Sequence, residues 1–258
     1  MEPLNPYPPR FMLNVDKLLP CHSVDCVIIG YDKGALSVLV LKWKDLPLWS
    51  LPGGFIKIDE HLDDAALRIL KDRTGLDMPF LTQFHTFGQA GGKRMSVESD
   101  IRELIKSNYP SIGTWFENRF ITTGYLAMVQ PSECRLVPDE LSESCVWMPI
   151  KDLPELIYDH NAIVDQAIAH VKRQLNYLPV GKSLLPETFT MKTFKLLYES
   201  ILGRELDRAN FQKKMLKLGM LTRRGKENKG GAHKAPYLYS FDHDKYQELL
   251  EKGIGFIP

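Results

Sequence analysis

One short stretch, residues 48–76, constrains the fold more than any other. Leu48-Trp49-Ser50-Leu51 has the apolar weight of a strand, and Pro52-Gly53-Gly54 interrupts it. From about His61 to Thr74 the apolar positions recur at helical spacing. Gly75 follows, the residue type that closes a helix on left-handed backbone. Strand, glycine-rich loop, helix and closing glycine fit into fewer than thirty residues.

The same stretch resembles the Nudix box, G-x5-E-x7-R-E-U-x-E-E-x-G-U, where U is a bulky aliphatic. Gly54, Glu60, Arg68, Leu70, Gly75 and Leu76 fall in register. In that family three glutamates of the helix hold a divalent metal against a diphosphate. Here those positions are Ile69, Asp72 and Arg73. Spacings of three and four put them on one helical face. Magnesium takes hard oxygen ligands; isoleucine offers none, and arginine sets a fixed positive charge in the cation's place. Only Asp72 and Glu60 remain as carboxylates. The expectation is a Nudix fold without catalysis, metal or cofactor, used as a binding module. A Mg²⁺-dependent hydrolase of nucleoside diphosphate derivatives is the alternative.

Around this stretch the chain reads as α+β. Val24 to Tyr31 and Ala35 to Trp43 form a hairpin about Asp32-Lys33-Gly34. Strands are expected at 79–88, 119–129 and 145–150, with a short helix from Ser96 to Ile105 in the harder segment 89–118. Asp159 is placed as the cap of a helix at 161–176, with His160 packed beside it rather than serving as a ligand. The resemblance then implies an α/β/α sandwich with a mixed sheet. Residues 1–20 are expected to be an irregular arm, 21–178 the Nudix-like domain, and 179–258 a second domain after the Pro179-Val180-Gly181 and Pro186 linker.

Charge separates the two parts. Residues 204–234 hold ten Lys/Arg against three Asp/Glu, in a chain whose net charge is +1. A basic segment on an otherwise acidic body points to a polyanionic partner. It also follows a distinctive order: a helix from Thr190 to Leu202, a second from Asp207 to Leu218, then strands at 221–224 and 237–241 around GKENKGGAHKAP. That is the order of a winged helix-turn-helix. With Phe211, Met215 and Leu218 facing inward, Asn210, Lys213, Lys214 and Lys217 face outward and Arg208 sits in the first turn. Arg208 and Asn210 are suited to base edges, the lysines to phosphate. Arg223, Arg224, Lys226, Lys229 and Lys234 furnish the wing.

A degenerate Nudix box followed by a winged helix resembles the Nudix-related transcriptional regulators. Within them the chain is similar to the arabinose-responsive repressors of Bacteroides-type bacteria. The resemblance rests on LWSLPGGFIKIDEHLDDAALRILKDRTGL and LPELIYDHNAIVDQAI in the first half. In the second it rests on LLPETFTMKTFKLLYESILGRELDRANFQKKM and PYLYSF. It implies a homodimeric repressor that senses a small molecule and binds an inverted-repeat operator in double-stranded DNA. The effector it implies is a pentose such as arabinose, or ADP-ribose. Trp49, Gly53, Gly54, Glu60 and Arg119 are the expected effector-site residues. The segment 89–118 replaces a shorter loop of the family, so the effector is not carried over; Lys93, Arg94 and Trp115 are candidates for its lid. An adaptor that binds protein or RNA is a third reading. No apolar run approaches the roughly 20 residues of a membrane span. The N-terminus lacks the charge and apolar core of a signal peptide, and the four cysteines include no Cys-x-x-Cys pair. These features fit a reducing, cytoplasmic setting.

Overall fold

The computed structural model describes residues 14–77, 80–89, 103, 105–107, 118–227 and 235–254. A seven-stranded mixed sheet forms the first half. Its strands are β1 (Leu18–Asp32), β2 (Ala35–Trp43), β3 (Trp49–Ser50), β4 (Gly53–Lys57), β5 (Leu81–Phe87), β6 (Ile121–Val129) and β7 (Ser142–Pro149). The main path runs β3-β2-β1-β6-β5, with β4 on β1 and β7 on β2. The hairpin turns on Lys33 and Gly34, both with positive φ, between the paired residues Asp32 and Ala35. Two left-handed residues are what a tight two-residue hairpin needs.

Alternation along β1 explains the layers. Val24, Cys26 and Ile28 face one side, and pack with Ala65, Ala66, Ile69 and Leu70 of helix α1 (Leu62–Thr74). Val27, Ile29 and Tyr31 face the other, and pack with Ile163, Val164, Ala167 and Val171 of helix α2 (His160–Gln174). A strand buried on both faces reads as a continuous apolar run, as VDCVIIGY does. The α/β/α sandwich inferred from the sequence is therefore present.

The second half is a winged helix. Helices α3 (Met191–Leu202), α4 (Arg208–Lys217) and α5 (His243–Lys252) surround a three-stranded sheet. Its order is β8 (Phe189–Thr190), β10 (Tyr237–Phe241), β9 (Leu221–Lys226). Thr190 and Asp207 cap α3 and α4, accepting from Thr193 N at 3.1 Å and Asn210 N at 2.8 Å. Such caps contribute about 1 kcal/mol each. Phe189, Phe194, Tyr198, Phe211 and Phe241 form an aromatic core. That core is continuous with the α2 side of the sandwich. Ser200 Oγ donates to Gly34 O at 3.0 Å, tying α3 to the hairpin.

Several local expectations are corrected. β1 begins at Leu18, inside the stretch expected to be irregular, because Leu18 pairs with Lys57. Gly53-Gly54 lies in β4 rather than in a loop, paired with Asp25 and Val24. Asp159 stands at the N-cap of α2 but its side chain makes no capping bond. Glu103 and Ile105–Ser107 are helical; Ser96, Lys93, Arg94, Trp115, Lys229 and Lys234 lie outside the described residues. No helix among the described residues is long and apolar enough to cross a membrane.

Candidate effector cavity and nucleic-acid face

β1 changes partners along its length. Residues 29–32 pair with β2, whereas Ser23, Val24 and Asp25 pair with β4. Beyond the hairpin β2 leaves β1 to pair with β3 at Leu41 and Lys42, while β7 follows it from Ser37 to Trp43. A cavity of about 130 Å³ opens at this fork. Ser23 and Asp25 of β1, Trp43 of β2, Ser50, and Gly53 and Gly54 of β4 line one side. Asn118, Phe120, Asp139, Tyr158 and His160 line the other.

Its polar centre is Asp25, which is 5 % exposed. Thr122 Oγ1 donates to Asp25 Oδ2 at 2.8 Å, and His160 Nε2 lies 3.6 Å from Oδ1. The backbone N–H of Leu51 donates to His160 Nδ1 at 3.0 Å. With Nδ1 accepting, the neutral imidazole carries its proton on Nε2, facing Asp25. A Cβ on Gly53 would stand 2.4 Å from Asp25 Oδ1, so only glycine lets β4 approach this carboxylate. Trp43 Nε1 donates to Ser50 Oγ at 3.1 Å. Tyr158 holds φ at 54°, uncommon for an aromatic residue. The chain there is fixed by the bond from Ile157 N to Trp49 O, 2.8 Å.

The expected effector residues divide. Gly53 and Gly54 line the cavity; Trp49, Glu60 and Arg119 do not. Trp49 lies on β3 with Lys42 Nζ 5.9 Å from its ring. Arg119 donates to Gly88 O. Glu60 is engaged by Arg68, Nε to Oε1 at 2.7 Å and Nη2 to Oε2 at 2.8 Å, and also accepts from Lys57 N. The Arg68 hydrogen bonds hold the Glu60 carboxyl below its ordinary range. Asp25, Ser50, Trp43 and His160 were not among the expected site residues. One signal for Asp25 was a carboxylate inside an otherwise apolar strand.

The positions that carry metal in Nudix enzymes do not suit a cation here. Ile69 is buried under Gly54, where a Cβ would meet its Cδ1 at 3.1 Å. Arg73 lies 3.8 Å from Asp139, and Asp72 is exposed. Among the described residues no group of three or more His, Cys, Asp or Glu is arranged to hold a metal ion. The cysteines are free thiols; burial pushes Cys145 up to about 11 and raises Cys26 further, so both are protonated at neutral pH.

On the winged helix, Phe211 and Met215 are buried while Arg208, Asn210, Lys213, Lys214 and Lys217 are exposed. The Arg223 guanidinium stacks 3.0 Å above the Tyr237 ring, with Lys226 Nζ 5.7 Å from it. Arg224 Nε donates to Ser240 Oγ at 2.8 Å, so this wing arginine is partly committed within the sheet.

Residues 20–171 match the NUDIX domain model, and residues 181–241 match the NrtR DNA-binding winged helix domain. A protein from Acinetobacter baylyi described as an ADPR responsive transcriptional repressor NtrR is 27% identical over 243 residues, covering 90% of this chain and 88% of the relative. The crystal structure of Shewanella oneidensis NrtR complexed with a 27mer DNA superposes with a TM-score of 0.67 at 24% identity, covering 88% of this chain and 96% of that one. A MutT/nudix family protein from Enterococcus faecalis gives 0.61 at 23%, covering 87% of each. Those structural likenesses speak to the fold. The chain belongs to the Nudix domain family and carries, C-terminal to that domain, an NrtR-type winged helix.

Proposed function

We propose that this protein is an effector-controlled transcriptional repressor. Its winged helix binds an inverted-repeat operator as a homodimer, and its Nudix domain senses a sugar without hydrolysing it. The effector is a small neutral polyol of pentose size, seated in the Asp25–His160 cavity. The cavity's composition carries this reading. Among the described residues its walls offer two carboxylates, an imidazole, two serine hydroxyls and aromatic rings, but no lysine or arginine. Hydroxyl groups donate to carboxylates, and sugar C–H faces pack on rings. Among the described wall residues a diphosphate would meet Asp25 and Asp139 and no cation.

ADP-ribose is the second reading, favoured by the response named for the Acinetobacter baylyi relative. Lack of hydrolysis is supported by the buried Ile69, by Arg73 beside Asp139, and by the engagement of Glu60 with Arg68. Helix α2 offers a physical route between the functions. His160, its first residue, lines the cavity. About 22 Å on, at 1.5 Å per residue, the helix ends in the core shared with Phe194 and Leu197 of α3. Calorimetry with pentoses, hexoses and ADP-ribose tests the effector. Binding of a pentose with an Asp25-dependent heat is expected; binding of ADP-ribose alone would reverse the order of the two readings.

A further inference from the structure

Helix α4 can meet DNA with either of two flanks. At about 100° per residue, Arg208 and Gln212 lie to one side of the buried Phe211. Asn210, Lys214 and Lys217 lie to the other. The basic flank attracts attention in the sequence because it holds the lysines. The structure gives the other flank a setting. Arg208 and Gln212 form a wall of a groove of about 930 Å³, together with Lys192 and Thr193 of the first turn of α3 and Tyr237 at the wing root.

We infer that Gln212, paired with Arg208, reads base edges in the operator. This rests on the proposal that the winged helix binds DNA. A duplex held at once by the wing and by the first turn of α3 lies across this groove, so it meets the Arg208–Gln212 flank. Lys192 is exposed on that first turn, beside the positive end of the α3 helix, where a phosphate is favoured. Glu227 also stands on the groove wall; its charge disfavours phosphate at that point of the groove and favours it at the Lys192 side. Neither Arg208 nor Gln212 makes a hydrogen bond or ion pair with a described residue. Gln212 is half-buried on the groove wall, while Phe211 beneath it is buried. Both groups are therefore placed but unspent.

Their chemistry fixes what they select. A glutamine amide bonds adenine through N6–H and N7, and an arginine bonds guanine through O6 and N7. One turn apart on α4, the two side chains are separated by about 6 Å along the helix axis. That is about two base steps at 3.4 Å each. Each half-site accordingly carries an adenine and a guanine within two steps of each other.

Selection from randomised duplexes tests this with the full-length wild type and with Gln212→Ala, Gln212→Glu, Arg208→Ala and Asn210→Ala. Thermal melts confirm that each variant is folded. Wild type is expected to enrich one adenine and one guanine per half-site. Gln212→Ala should lose about 5- to 150-fold discrimination at the adenine alone, and Gln212→Glu should move that position toward cytosine, whose N4 donates to a carboxylate. Arg208→Ala should relax only the guanine. Unchanged preferences in the Gln212 variants, with specificity lost in Asn210→Ala, would overturn the assignment while leaving DNA binding intact. A wild type that retains no duplex above background would remove both this inference and the DNA-binding proposal.

Discussion

His160 Nε2 and Asp25 Oδ1 face each other at 3.6 Å, each side chain almost fully buried. One opens helix α2 and the other sits in β1. The Leu51 N–H and the Thr122 hydroxyl orient them from opposite sides. A pair so held fixes the Asp25 carboxylate on the cavity wall, where the proposed hydroxylated effector would donate to it.

Replacing Asp25 with Asn removes the charged acceptor with little change of shape. A hydrogen bond to a charged group contributes about 1.5–3 kcal/mol, which is roughly tenfold to 150-fold in Kd. Asp25→Asn should therefore weaken effector binding by that factor, measured by calorimetry. DNA affinity without effector should stay at the wild-type value. Equal loss of both would mean that Asp25 serves the fold.

Gly53 is the second lever on the cavity. Gly53→Ala brings a Cβ to 2.4 Å from Asp25 Oδ1 and 3.0 Å from Val24 O. The carboxylate must move, since the Val24 backbone cannot give way. Overpacking of this kind costs about 1–3 kcal/mol. Denaturant melts should show that loss, and the variant should no longer bind effector. A variant with wild-type stability would contradict the close approach of β4 to β1.

The fold was legible in the sequence where physics is local. Gly75 closes α1 on left-handed backbone, and its N–H reaches Lys71 O at 2.7 Å. Thr190 and Asp207 cap the helices they were expected to cap. The cavity was not legible, because Asp25 and His160 meet only through tertiary pairing of β1, β4 and the start of α2. Asp159-His160 is legible as an N-cap position beside a packed histidine, and both hold, but the sequence gives no sign that the cap makes no side-chain bond or that His160 faces Asp25. Helix α5 is not among the expected elements, although Asp242 caps it by accepting from Lys245 N.

Glu60 and Arg68 give a pH signature. Arg68 depresses the Glu60 pKa in the folded chain. Its contribution is then present above the unfolded value, about 4.3, and is lost as pH falls through the folded value. Glu60→Gln should cost about 1.5–3 kcal/mol at pH 7, as expected for charged hydrogen bonds. The gap to wild type should narrow in melts below about pH 4. A gap independent of pH would mean that the charge of Glu60 contributes nothing.

Purified protein should not turn over ADP-ribose with Mg²⁺ or Mn²⁺ above a blank. Ile69 and Arg73 stand at two of the three helix positions where such chemistry uses carboxylates, which leaves Asp72 alone of the three. Turnover near the enzyme median of about 10 s⁻¹ would establish a hydrolase.

DNA binding should be steeply salt-dependent. With roughly 6–10 phosphate contacts per dimer, affinity should fall about 10³- to 10⁵-fold between 50 and 200 mM salt. Lys217→Ala should weaken all sequences alike and flatten that slope. A slope near zero would leave the basic surface of α4 and the wing without a role in binding phosphate.

The most direct test of sensing coupled to DNA release is a fluorescence-anisotropy titration. Full-length protein is titrated onto DNA from upstream of its own gene, where the proposal expects an inverted repeat, with and without saturating pentose or ADP-ribose. Linkage requires a releasing ligand to bind the DNA-free form more tightly. The expected result is specific binding that one of these sugars weakens about 5- to 150-fold, the usual range of allosteric coupling, with the effect abolished in Asp25→Asn. Operator affinity that no bound ligand changes, or that does not exceed affinity for scrambled DNA, would contradict the account.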